Sequence, residues 1–167
     1  MTAKHILLRD DASSALSPDP AKSSQRILVV EDDRFLRQIN TEALVDSGYE
    51  VNAVADGACA WDALQLKNYD LLVTDNCMPK VTGIELVEKI RSARMALPVI
   101  MATGAVPRDE RDRNLWVQIN VILLKPYTLD ALLGAVKEVL FMGDYAVKKA
   151  GPPTSWQSMS KMPGPGT

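Results

Sequence analysis

Histidine, cysteine and long uncharged runs are scarce in this chain, and each scarcity removes a class of function. The single histidine, His5, stands in the leading segment of 167 residues. No histidine is left in the body of the chain for a Ser-His-Asp triad, a histidine-rich metal site or a phosphohistidine donor. Two cysteines, Cys59 and Cys77, are too few for a disulfide framework or a cysteine-based zinc site. Each lies in an apolar-looking segment, the usage of a reducing cytoplasm. The longest stretch without charge, from Met95 to Pro107, falls short of the roughly 18 to 20 apolar residues that span a bilayer. The leading residues carry Lys4, Arg9, Asp10 and Asp11 and lack the apolar stretch of a signal peptide, so the expected location is cytoplasmic. Charge of one sign is also missing: 19 Lys and Arg against 21 Asp and Glu leave a net charge of −2. No basic excess draws the chain toward nucleic acid or anionic lipid.

What remains is ordinary globular material, 47% hydrophobic and 24% charged, enough to bury a core. Residues 1–25 carry Ser13, Ser14, Ser17, Pro18, Pro20, Ser23 and Ser24 and read as a disordered leader. Residues 144–167, with Pro152, Pro153, Pro163 and Pro165 among glycines, read as a flexible tail. The folded unit is then 26–143. Within it, short apolar runs alternate with helical patterns, the signature of consecutive βα units and a parallel sheet. Arg26–Val30, Glu50–Val54, Asp70–Thr74, Val99–Ala102 and Asn120–Leu124 read as strands. Leu36, Ile39 and Ala43 suggest the buried stripe of a first helix ending at Gly48, and Asp56 a cap for a second. Ile84, Val87 and Ile90 mark a third helix. Pro107–Trp116 is read as another despite poor periodicity, and its mixed charges suit a solvated face. Leu129, Leu132, Leu133, Val136 and Leu140 form an amphipathic stripe on the last helix, after a cap at Thr128.

A doubly wound α/β sheet binds ligands beyond the carboxyl ends of its strands. Those ends read Glu31, Asp32 and Asp33, then Asp75, Thr103 and Lys125. Clustered carboxylates repel unless a cation joins them. Mg²⁺ suits such a cluster, because it takes octahedral oxygen ligands and binds through one or two carboxylates plus phosphate oxygens. Asp32 and Asp75 suffice as direct ligands. An aspartate beside the ion can attack a phosphoryl group, with Lys125 and the Thr103 hydroxyl stabilising charge on the moving oxygens. Taken singly these residues have plainer readings. Asp33 can cap the first helix, Thr103 can start a turn before Gly104, and Lys125 can be a solvated loop residue.

The acids after ILVV, the segment DNCMPKVTG over 75–83, LPVIMATG ending at Gly104, and LLKPYT around Lys125 together resemble the receiver domain of two-component response regulators. The resemblance spans about 26–142. It implies a flavodoxin-like five-stranded sheet in the order 2-1-3-4-5, with Asp75 as phosphoacceptor. Glu31 and Asp32 become the acidic pair that places Mg²⁺, and the backbone carbonyl of Cys77 a third protein ligand. Thr103 and Lys125 are implied to contact the bound phosphoryl group. Their movement would reshape the face made by the helix before the fifth strand, that strand and the last helix. The implied partners are a histidine kinase or phosphotransfer protein and a downstream protein, with a homodimer left open. The Lys125–Pro126 bond is expected to be cis, as is frequent in receivers.

The pattern is broken in three places. Ile122 stands where most receivers carry an aromatic switch residue, three positions before Lys125. Tyr127 is close by but at a different position. Cys77 and Ala105 occupy positions that tune hydrolysis of the acyl phosphate, and neither is ionic, so slow self-dephosphorylation is expected. Cys59, Met78 and Met101 read as core packing, while Trp116 suits the core or a docking surface equally. Only about 25 residues follow the last helix, so the output is expected to be noncovalent rather than a fused domain. Two other functions stay open. One is an adaptor that ignores phosphorylation, favoured by Ile122. The other is a Mg²⁺-dependent aspartyl-phosphate hydrolase, which lacks an obvious second acid because Asp75 is followed by Asn76 and Cys77.

Overall fold

Aliphatic runs too short for helices become strands, the central three covered on both faces, and the capped amphipathic segments between them become the covers. The computed structural model describes residues 24–104 and 116–150. Its order is β1 (Arg26–Val30), α1 (Arg34–Asp46), β2 (Glu50–Val54), α2 (Gly57–Leu66), β3 (Leu71–Asp75), α3 (Gly83–Ser92), β4 (Val99–Thr103), β5 (Val121–Leu124) and α4 (Leu129–Ala150). The five strands form one parallel sheet in the order β2-β1-β3-β4-β5, the doubly wound arrangement expected from the sequence.

Alternate strand residues divide the core into two clusters. Leu28, Val30, Leu72, Val99 and Met101 pack against α2 and α3 through Ala60, Leu64, Leu86, Val87 and Ile90. Ile27, Val29, Leu71, Val73 and Ile100 pack against Leu44 of α1 and Leu132, Val136 and Leu140 of α4. Helix starts match their chemistry. Asp33 accepts from the amides of Phe35 and Leu36, Asp56 from that of Cys59, and Thr128 from that of Ala131. Thr82 and Glu85 close a reciprocal capping box on α3, a T-x-x-E pattern legible in the sequence. Gly48 ends the α1 turn at φ +90, a backbone region open to glycine without steric cost.

Several expectations are corrected. In α1 the buried residues are Asn40 and Leu44, whereas Leu36 and Ile39 of the expected stripe are 37% and 46% exposed. The helix is rotated because Asn40 finds a hydrogen-bond partner at depth, which a polarity pattern cannot reveal. Cys59 is exposed on α2 rather than in the core, while Met78, Met101 and Trp116 are buried. β5 pairs only with β4 among the described strands, and Ile122 and Leu124 on it are exposed. Helix α4 continues to Ala150, past the boundary set at 143, because no proline occurs between Pro126 and Pro152. The expected helix over 107–116 lies outside the described residues except for Trp116, and residues 1–23 and 151–167 lie outside them too.

Candidate functional site

Strand register brings the polar residues to one edge. Thr74 pairs with Val30 and with Met101, Asp75 with Ala102, and Thr103 with Leu124. Asp75 and Thr103 therefore end neighbouring strands, with Glu31 one step beyond β1 and Lys125 one step beyond β5. Backbone bonds carry the ladder past the strands: Glu31 N–H donates to Val54 O at 3.2 Å, and Lys125 N–H to Thr103 O at 2.8 Å. This fixes where each side chain leaves the sheet.

Carboxylate oxygens of Glu31, Asp32 and Asp75 lie within 4.8 Å of one another. Glu31 and Asp75 are buried and Asp32 is exposed, so the cluster opens to solvent on the Asp32 side. Lys125 Nζ lies 2.8 Å from Glu31 Oε2 and 3.1 Å from Asp75 Oδ2. Burial raises the Glu31 pKa above the usual carboxylate range; the Lys125 hydrogen bond opposes this shift, and the Asp75 charge adds to it. Burial alone would lower the Lys125 pKa, but bonds to Glu31 and Asp75 together outweigh it, leaving a net upward shift. The ammonium thus remains protonated and answers part of the acids' repulsion.

The loop after β3 is built for close approach. Cys77 N–H donates to Asp75 Oδ1 at 3.2 Å, Gly83 N–H to Asn76 O at 3.2 Å, and Ile84 N–H to Asn76 Oδ1 at 3.1 Å. A Cβ on Gly83 would collide with the Asp75 carbonyl, so no larger residue fits there without a backbone shift. Thr103 is fully buried at the end of β4. Cys77 is exposed beside Asp75. The Lys125–Pro126 bond is cis, as expected from the sequence.

The family model of the response regulator receiver domain matches residues 27–137, the stretch that holds the sheet, the three acids and the lysine. This chain belongs to the response regulator receiver family. Receiver domains are signalling domains of two-component systems. This receiver is 37% identical over 106 residues to the sensor protein EvgS of Escherichia coli O157:H7, covering 64% of this chain and 9% of EvgS. It is 35% identical over 117 residues to the response regulator MprA of Mycobacterium bovis, covering 70% of this chain and 51% of MprA. The receiver thus spans about half, or far less, of the length of these relatives. Among solved structures, the chemotaxis response regulator CheY4 of Vibrio cholerae superposes with a TM-score of 0.63 at 30% identity, covering 70% of this chain and 99% of that one. The response regulator TrrA of Thermotoga maritima, solved in complex with Mg²⁺-BeF, superposes at 0.61 with 29% identity, covering 69% and 98%.

The sequence-derived residues Glu31, Asp32, Asp75 and Lys125 of this receiver converge. Thr103 ends the adjoining strand, and Asp33 caps α1. Residues to which the sequence reading assigned no role at the site support them. Arg37 Nη1 donates to the carbonyls of Glu31 at 2.6 Å and Asp32 at 3.1 Å, bracing the acidic turn. Lys80, in the left-handed region at φ 68, bonds the α2 cap Asp56 at 2.8 Å. Asn40 Nδ2 donates to the Tyr127 hydroxyl at 2.9 Å. The one sequence signal for Arg37 is its place one turn into a helix capped at Asp33. The other two join residues 24 and 87 positions apart and leave no local trace. No helix among the described residues is long and apolar enough to cross a membrane.

Proposed function

We propose that this receiver accepts a phosphoryl group on Asp75 from a histidine kinase or phosphotransfer protein, in a Mg²⁺-dependent reaction, and signals from the cytoplasm by noncovalent partner binding. The observation that carries the reading is the meeting of three carboxylates within 4.8 Å with one lysine ammonium bonded to two of them. The donor set suits a hard divalent ion, being all oxygen and open to water on the Asp32 side. Glu31, Asp32, Asp75 and the Cys77 carbonyl would hold it. When bound, Mg²⁺ would supply positive charge to offset the acids and the phosphoryl oxygens, and the similar TrrA was solved in complex with Mg²⁺-BeF.

The chain's own residues do the rest. An oxygen of Asp75 attacks phosphorus, the bond from phosphorus to the donor imidazole nitrogen breaks, and the imidazole leaves with its electron pair and takes up a proton. Cys77 N–H holds Asp75 Oδ1, which leaves Oδ2, now bonded to Lys125, as the oxygen that forms the bond to phosphorus once Lys125 lets it go. Lys125 Nζ then exchanges its bond to Asp75 for one to a phosphoryl oxygen, and the Thr103 hydroxyl supplies a second donor. Beside this site Phe35, Leu36, Ile39 and Leu129 are exposed. Of these, Leu36, Ile39 and Leu129 border a groove of about 440 Å³ also lined by Lys125, Pro126 and Tyr127, a surface suited to the apolar side of a donor helix.

The test is intact mass after incubation with Mg²⁺ and acetyl phosphate. One hydroxylamine-labile phosphoryl adduct is expected, lost without Mg²⁺ and absent from Asp75→Asn. Exposed Ile122, in the place of the usual aromatic, favours a second reading as a phosphorylation-independent adaptor. No adduct together with no Mg²⁺ binding would select that reading.

A further inference from the structure

The segment that carries Lys125 is tied to α1 by a part-buried polar pair whose partners lie 87 positions apart in the chain. Asn40 is 2% exposed, and its Nδ2 donates to the Tyr127 hydroxyl at 2.9 Å. A buried amide with no partner carries a desolvation penalty, so the bond holds both groups in place. The Tyr127 ring packs in the cluster formed by Ile27, Val29, Leu132 and Val136. Burial raises its phenol pKa, the Asn40 bond opposes this, and the charges of Glu31, Lys125 and Asp75 are all felt at the ring. On the other side of the pair, α1 begins at Asp33, whose own amide donates to Glu31 Oε1 at 3.4 Å. The Tyr127 hydroxyl thus fastens the loop of Lys125 to the helix whose cap residue, Asp33, is hydrogen-bonded to Glu31, one of the two acids that Lys125 bonds.

We infer that Tyr127, through its hydroxyl bond to Asn40, is a positioning residue that aims the Lys125 ammonium at the phosphoryl group on Asp75. Lys125 has a flexible four-carbon stem, and 22% of its side chain is exposed. Glu31 holds the ammonium from one side, and the loop backbone determines where the stem starts. With Tyr127→Phe the ring remains but the loop loses its anchor, and Asn40 keeps an unmet donor. Asn40→Val with Tyr127→Phe removes both polar groups and restores an apolar contact, but not the anchor. This inference rests on the proposed contact between Lys125 and the phosphoryl group.

The experiment measures affinity for beryllofluoride, a phosphoryl mimic, in saturating Mg²⁺, and separately the Kd for Mg²⁺ alone. It compares wild type, Tyr127→Phe, Asn40→Val/Tyr127→Phe, Lys125→Ala and Lys125→Ala/Tyr127→Phe. Tyr127→Phe is expected to weaken beryllofluoride binding by about three- to tenfold, the range of one lost hydrogen bond, and to leave the Mg²⁺ Kd unchanged. Asn40→Val/Tyr127→Phe should recover thermal stability while keeping the beryllofluoride defect. In the Lys125→Ala background, Tyr127→Phe should have no further effect, because it acts through the amine. An equal loss with and without Lys125, or a Tyr127→Phe variant that loses only thermal stability, overturns the inference. If Lys125→Ala itself binds beryllofluoride as wild type does, the proposed role of Lys125 falls, and this inference falls with it.

Discussion

Lys125 and Lys80 each bond a carboxylate at 2.8 Å, yet the two pairs are different objects. Lys125 lies 22% exposed against Glu31 at 3% and Asp75 at 6%. Lys80 lies 69% exposed against Asp56 at 10%. The inner lysine stands between two buried acids, so its loss leaves like charges together in a poorly hydrated place. The outer lysine joins the loop after β3 to the cap of α2 in water, where charge is screened and side-chain freedom opposes the bond. At equal distances, burial and the number of acids decide which pair is energetically decisive.

The largest effect expected is total. Asp75→Asn removes the phosphoryl adduct altogether in the mass measurement, while Lys80→Ala retains it. Next, Lys125→Ala should cost about 3 kcal/mol in urea unfolding without metal, the scale for removing one partner of a buried ion pair. Added Mg²⁺ should restore part of this loss, since an ion among the acids replaces the missing positive charge. If Lys80→Ala costs as much, the contrast between the pairs collapses.

Asp32→Asn should have a smaller effect of opposite sign. Removing one negative charge from the cluster raises Tm by a few degrees without metal. It also removes most of the Tm gain that Mg²⁺ confers on wild type. A scan with and without Mg²⁺ reads both.

The smallest effect belongs to the outer pair and concerns pH. The Lys80 bond, with the Cys59 amide, lowers the Asp56 pKa from 3.8 to about 2. A carboxylate with a lowered folded-state pKa contributes stability that is present above its unfolded value and lost as pH falls through the folded one. The small stability difference between wild type and Lys80→Ala should therefore hold steady from pH 7 to about 5. It should shrink as pH falls from about 4 toward 2, which acid titration of the two proteins would show. A difference that grows in that window would mean Lys80 acts through another group.

Much of the site was legible because the chemistry sits where short apolar runs stop. Five such runs give five strand ends, and Glu31, Asp32, Asp75, Thr103 and Lys125 follow from reading them. Less of the packing was legible. The α1 stripe of Leu36 and Ile39 faces outward, and Asn40 faces inward, because Tyr127 meets the amide from far along the chain. Cys59 reads as apolar beside Ala58 and Ala60 but lies on the outer side of α2.

The amino-acid sequence by itself determined the βα alternation, the strand ends that bear charge, the helix caps at Asp33, Asp56 and Thr128, and the membership in the receiver family. These are local, set by runs, spacings and capping groups within a few residues. Only the tertiary structure decided which carboxylates share a lysine, how deeply each pair lies, and which face of α1 turns inward. Those properties depend on strand order and register, which bring residues such as Glu31 and Lys125, 94 positions apart, to a single bond.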